Sequence, residues 1–253
     1  MLVPARTMQL FGSPMLRGAV LAPADGVVSR RVLAVPKVVV ITAFLLGLSL
    51  LSGLSLWFLF PVDAGVNFVR NFGFAAGVFA FSMALVASLK PQWSSWIAPL
   101  YALAGGLFMA GLARALEVRF PGIAMQTLAI SAGVFLVMLA LYLTGLLRAT
   151  PRFRLVVYVA TAGIAVVYLL ALLLSLVGLP LAWLGQGGLG AALWYGFVAT
   201  VAALNLVLDY ERIDSLRRSP QPDYVHWYVA LGLMVTLVWL YISVLRLLAS
   251  VRR

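Results

Sequence analysis

The sequence predicts an all-α polytopic membrane protein with seven transmembrane helices, and three observations carry that prediction. Hydrophobic residues make up 64% of the 253 and charged residues only 10%, against roughly 25% charged in a soluble domain. Long apolar runs recur, each close to the 20 or so residues that a helix needs to cross the hydrocarbon layer. Between the runs fall Pro, Gly and basic residues, where helices stop and charge reaches water. A soluble fold is excluded. The absence of cysteine excludes disulfides, thiol nucleophiles and thiolate metal sites. A single histidine, His226, removes multi-histidine zinc and iron sites. A net charge of +11 would suggest nucleic acid on a soluble protein. Here it reads as basic loops that set topology and meet anionic lipid, so the bilayer is the expected partner and nucleic acid is not.

The chain divides into residues 1–36, a polar cytosolic arm, and residues 37–253, the seven-helix domain. Pro4, Pro14, Pro23 and Pro36 with Arg6, Arg17, Arg30 and Arg31 keep any sustained apolar run out of the arm. It is therefore expected to be dispensable for folding. The first apolar run starts only after Lys37 and is long enough to span, which predicts a retained anchor rather than a cleaved signal peptide. Spans are predicted at 38–60, 69–89, 96–116, 123–147, 155–178, 189–209 and 226–249. Pro61-Val62-Asp63 ends the first, Lys90-Pro91-Gln92 the second, and Phe120-Pro121-Gly122 separates the third from the fourth. Arg148 to Arg154 with Pro151, then Gly185-Gln186-Gly187-Gly188, then Arg217-Arg218-Ser219-Pro220 provide the remaining breaks.

Basic residues give the orientation. One side holds Arg6, Arg17, Arg30, Arg31, Lys37, Lys90, Arg148, Arg152, Arg154, Arg212, Arg217 and Arg218; the other holds Arg70, Arg114, Arg119, Arg246, Arg252 and Arg253. That imbalance of 12 to 6 predicts a cytoplasmic N-terminus and an external C-terminus. Trp57, Trp93, Trp96, Trp183, Trp194 and Trp227 lie near span ends, where amphipathic rings favour the interface, and Trp239 lies mid-span. Small residues at Gly73, Ala76 and Gly77, and at Ala102, Gly106 and Ala110, predict close helix packing. A flexible gate at Gly105-Gly106 is the functional alternative.

The informative residues are polar groups at membrane depth. Asp209 closes the sixth run, with Asn205 one turn before it and so on the same predicted face. A carboxylate there costs about 2.5–3.5 kcal/mol at a span centre and marks a functional candidate by default. Arg212, three residues on, leaves a second reading open, an ion pair at the lipid–water boundary. Glu211 and Asp214 read as solvated, Glu117 as part of an interface cluster with Arg114 and Arg119, and His226 as an interface residue beside Trp227.

The run Leu204-Asn205-Leu206-Val207-Leu208-Asp209-Tyr210-Glu211-Arg212-Ile213 resembles the signature of the Bax inhibitor-1-like (TMBIM) membrane proteins, in particular their bacterial branch. Ala98-Pro99-Leu100-Tyr101 with Gly106-Leu107-Phe108, Glu117-Val118-Arg119-Phe120-Pro121-Gly122, Tyr142-Leu143-Thr144-Gly145 and Val235-Thr236-Leu237-Val238-Trp239 extend the likeness over residues 68–253. It implies a location in a bacterial inner membrane, a seven-helix bundle with a central sixth helix and, in some members, a pH-sensitive calcium leak in which acids on the sixth and seventh helices share a proton. Asp209 matches the sixth-helix acid. No Asp or Glu lies between Val225 and Arg253, so the seventh-helix acid is missing, and Ser243 is one candidate replacement. Relatives also tend to carry an acid in the third span, where this chain has Gly105.

Two functions of different class follow. One is a passive, pH-sensitive calcium or cation leak with its gate at Asp209, Asn205, Arg212 and Ser243 and calcium or other cations in transit. The other is a non-conducting interaction protein, a stress modulator or a client or regulator of a membrane quality-control protease. No enzyme activity, metal site or cofactor is expected, because no Ser/His/Asp, paired-acid or metal constellation is present. Calcium prefers six to eight oxygen ligands, more than Asp209 and Asn205 supply, which points to weak passage rather than tight binding.

Reporter fusions after Leu184 and after Arg253 are both expected to read external. An internal reading after Arg253 alone would mean six spans or a re-entrant last segment.

Overall fold

The computed structural model describes residues 31–59, 66–179, 188–218 and 220–252. Within them, seven helices are long and apolar enough to cross a membrane. These are α1 (Val35–Leu59), α2 (Val66–Leu89), α3 (Ser94–Glu117), α4 (Ile123–Leu143), α5 (Pro151–Leu176), α6 (Leu189–Leu216) and α7 (Tyr224–Val251). A two-residue antiparallel pair joins β1 (Arg31–Val32) to β2 (Pro220–Gln221), with Arg31 opposite Gln221. The first 30 residues of the expected arm, the Pro61-Val62-Asp63 break, Trp183 and most of the glycine-rich break before α6 lie outside the described residues.

Helix ends follow local chemistry. The Thr150 hydroxyl accepts from the Phe153 N–H at 3.2 Å and Pro151 takes the first helical position, so α5 begins four residues before the predicted span. At the end of α4, Gly145 has φ +73°, which stops the helix at Leu143 rather than near 147. The Glu117 carboxylate accepts from the N–H groups of Gly122 at 2.6 Å and Ala124 at 2.9 Å, capping α4. Most consequential is α6, which runs seven residues past Asp209 to Leu216. Asp209 is therefore two turns inside its helix rather than at the end.

The bundle is built around α7. It packs against α1, α3, α4 and α6, and 67% of its most apolar stretch is buried against 50% for α6 and 11% for α5. The expected central place of the sixth helix is thus shared with, and exceeded by, the seventh. One core joins α1, α3 and α7 through Val38, Leu45, Ala98, Tyr101 and Met234. A second joins α4, α5, α6 and α7 through Met138, Val157, Leu206, Val207 and Leu240. Large apolar side chains such as Phe58, Phe81, Leu136 and Leu176 point outward, as a hydrocarbon-facing surface requires.

Backbones approach where the small residues lie. A Cβ on Gly111 of α3 would come within 2.7 Å of the Gly73 Cα of α2. One on Gly106 would run into the Ser49 carbonyl and Ser52 hydroxyl of α1. Gly106 is therefore a packing residue holding α1 against α3, and the gate alternative has no geometric support there.

The last residues of the arm belong to the body. Leu33 is buried within the α1–α3–α7 core, beside the β1–β2 pair. Among the described residues, the segment Arg31–Leu33 is thus joined to the helical body through β2 and the core.

Gly106→Ala is expected to destabilise the purified protein by about 1–3 kcal/mol, the usual cost of overpacking. Gly133→Ala, whose added Cβ meets nothing within 4 Å, should be neutral or mildly stabilising in the same thermal unfolding assay. Equal behaviour of the two would show that the α1–α3 approach does not limit stability.

Candidate functional site

Asp209 is buried between α6 and α7, 8% exposed. Its Oδ2 accepts a 2.6 Å hydrogen bond from the Thr236 hydroxyl of α7. Its Oδ1 lies 3.6 Å from Nη1 of Arg212, one turn further along α6. The pair with Arg212 foreseen from the sequence is present, but it sits within the bundle rather than at its rim. Both readings of Asp209 thus have a counterpart in one place, a buried carboxylate that also has a cationic neighbour.

Thr236 is the partner that sequence reasoning missed. Ser243, the expected substitute for the absent seventh-helix acid, donates instead to the Trp239 carbonyl in its own helix at 2.8 Å. It stands seven residues beyond Thr236, about 10 Å along a helix rising about 1.5 Å per residue. A signal for Thr236 was present in the sequence: it is a hydroxyl in an otherwise apolar run, one turn after Gly232.

Asn205 does not share the Asp209 contact. Its amide donates to Thr161 Oγ1 on α5 and to the Val201 carbonyl, both at 2.9 Å. One turn is 3.6 residues, so a residue four positions away is rotated slightly around the helix. Here that rotation carries Asn205 toward α5 while Asp209 meets α7. Arg212 also reaches α5, donating to the Tyr158 hydroxyl at 3.1 Å, and Glu211 pairs with Arg154 at 2.8 Å. On α5, Arg154, Tyr158 and Thr161 fall at i, i+4 and i+7, one helical face. Three polar contacts therefore run along the seam between α5 and α6. Nor is Asp214 merely solvated: it accepts from the Tyr142 hydroxyl at 2.9 Å and pairs with Arg217 at 3.2 Å.

The Thr236 hydroxyl has a second acceptor, the Gly232 carbonyl at 3.2 Å. A hydroxyl has a single proton to donate. With Asp209 charged, that proton goes to the carboxylate. With Asp209 protonated, the acid can donate to Thr236 Oγ1 and the hydroxyl proton can turn to Gly232. Both protonation states are hydrogen-bonded by one rotation, without a second carboxylate.

Beside this turn lies a cavity of about 40 Å³ lined by Ala84 and Ala87 of α2, Arg212 of α6, and Tyr228, Leu231, Gly232 and Val235 of α7. A space of this size accommodates a water molecule, and Arg212 and Tyr228 give it polar walls. Among the described residues, no three His, Cys, Asp or Glu side chains come together as a metal-ligand group. Asp209 and Thr236 offer three side-chain oxygens.

Thr236→Val is expected to leave the buried carboxylate short of a donor and to cost about 1–3 kcal/mol of stability, with Thr236→Ser restoring most of it. Equal stability of the two variants would mean that the hydroxyl does not support Asp209.

The family model described as Bax inhibitor 1 like matches residues 10–253. No curated protein and no solved structure matches the chain. The matched region takes in all seven helices and the Asp209–Thr236 contact that joins α6 to α7, and the chain belongs to the Bax inhibitor 1 like family of membrane proteins.

Proposed function

We propose that this protein is a passive cation leak whose state is set by the protonation of Asp209. The observation that supports this reading best is the placement of that carboxylate, buried between α6 and α7 and held by the Thr236 hydroxyl. An intramembrane ionisable group is expensive to keep and is a functional candidate for that reason. Charged Asp209 attracts both Arg212 and any cation entering from the cavity side. Its protonation releases Arg212 and removes the only carboxylate at that contact among the described residues. Calcium is the cation that family membership suggests, and the short donor set favours transit over retention.

The Arg212 contact favours a second reading, in which Asp209 is a structural ion pair and the protein acts by binding another membrane protein, such as a stress modulator or a quality-control protease. On either reading the protein is not an enzyme.

Purified protein in liposomes separates the two. Calcium or monovalent cation flux should change smoothly with pH as a single proton binds, and Asp209→Asn should hold the flux at one level across the same range. Flux that keeps its full pH response in Asp209→Asn would remove this residue from the mechanism. No flux in the unaltered protein at any pH would leave the interaction reading.

A further inference from the structure

His226 takes no part in the Asp209 site, yet it is the most enclosed titratable ring at the end of the bundle where α1 and α7 begin. It is 2% exposed and lies in the first turn of α7. Its Nε2 is 3.2 Å from the backbone nitrogen of Ala34, just before α1. Its Nδ1 is 3.0 Å from the Asp223 carbonyl oxygen. An amide N–H can only donate and a carbonyl can only accept, so the two contacts together require a neutral ring protonated at Nδ1.

The same crossing carries three other fastenings: the Arg31–Val32 pairing with Pro220–Gln221, the buried Leu33, and the Lys37–Asp223 ion pair at 3.4 Å. That ion pair is solvent-exposed on both sides and contributes little by itself. Of these fastenings, only the imidazole has a ring nitrogen that can turn from acceptor to donor by gaining a proton.

We propose that His226 is a proton-operated clasp: neutral, it holds the segment leading into α1 against the start of α7, and protonated, it releases that segment. The protonated ring presents an N–H to the Ala34 N–H, donor against donor, and places a charge in a nearly closed space. Both faults are relieved only when residues 31–34 lift and water enters. The open state therefore binds a proton that the closed state does not, so acid favours opening and alkali favours closure.

Charged groups that the elements meeting at this end carry include Lys37 on α1, Lys90 after α2, Asp223 before α7, Glu211, Arg212 and Asp214 on α6, and Arg217 and Arg218 just after it. Most are engaged elsewhere. Lys37 pairs with Asp223, Arg212 with Asp209 and Arg217 with Asp214, while Lys90 lies over the Trp93 ring. No carboxylate among the described residues is hydrogen-bonded to the imidazole to stabilise its charged form. The clasp is independent of the cation-leak reading.

The chain has one histidine, so ¹⁵N-histidine labelling of the full-length protein gives a single imidazole spectrum. At about pH 8 the ring should be protonated at Nδ1; the Nε2–H tautomer would overturn the proposal. Hydrogen exchange of the peptide containing Ala34, corrected for intrinsic rates, should be about fivefold faster or more at about pH 5 than at about pH 8, the factor for losing one hydrogen bond. In His226→Gln the corrected rates at the two pH values should agree. Asp223→Asn, which removes the neighbouring carboxylate and keeps the histidine, should retain the response. Equal protection at both pH values in the unaltered protein would overturn the clasp. So would a response that survives in His226→Gln, which excludes the imidazole, or one that vanishes in Asp223→Asn, which assigns it to the Lys37–Asp223 pair.

Discussion

Hydrocarbon offers no hydrogen-bond partners, so a polar side chain carried into the spans is tolerable when another part of the chain answers it. That constraint arranges much of the bundle. Ser52, Ser82, Thr127, Thr200 and Ser243 answer it locally, each donating to a carbonyl three or four residues back in its own helix. Asp209 and Asn205 have no such local solution for their full donor and acceptor sets. They answer it by reaching other helices, and in doing so they fix α7 and α5 around α6. The effect is strongest for α5, which buries little apolar surface. It is tied to α6 by Arg154, Tyr158 and Thr161, so its registry is specified by polar contacts more than by packing.

The Asp209–Thr236 contact and the Gly106 approach represent opposite uses of small polar and apolar groups. At Gly106, the missing side chain lets α1 and α3 come together with the Ser49 carbonyl and the Ser52 hydroxyl against the α3 backbone. At Thr236, a rotatable hydroxyl stands between two acceptors, the Asp209 carboxylate and the Gly232 carbonyl. One contact is fixed by the Ser49 backbone carbonyl, which cannot turn. The other can exchange a proton because one bond in it can. A pair of carboxylates would manage the same proton by mutual repulsion; a hydroxyl manages it by changing from donor to acceptor.

The fold was largely legible in the sequence because length and hydropathy alone determine whether a segment can span, and the family match agrees with that reading over residues 10–253. What escaped was detail that depends on contacts between segments. The charge-rich run after Asp209 read as loop, yet α6 continues to Leu216 because Arg154, Tyr158 and Tyr142 supply partners for Glu211, Arg212 and Asp214 from other helices. The same dependence made Thr236 hard to see. Hydroxyls in spans usually bond to their own helix, as Ser243 does, and only the packing of α7 on α6 distinguishes one threonine from another. His226 read as an interface residue because its partner, the Ala34 amide, is a backbone group distant in sequence.

The placement of α7 has a consequence for biosynthesis. Chains emerge N-terminus first, and the helix that touches α1, α3, α4 and α6 is made after the other six described helices. Until it arrives, α1 and α6 each lack their largest common neighbour and Asp209 lacks the hydroxyl that answers its carboxylate. A nascent chain can hold six helices in the bilayer and still have no finished centre. Completion then joins α1 and α7 in one event, and a chain interrupted before α7 stays marked by a carboxylate without its hydroxyl partner, a feature that distinguishes unfinished molecules from finished ones.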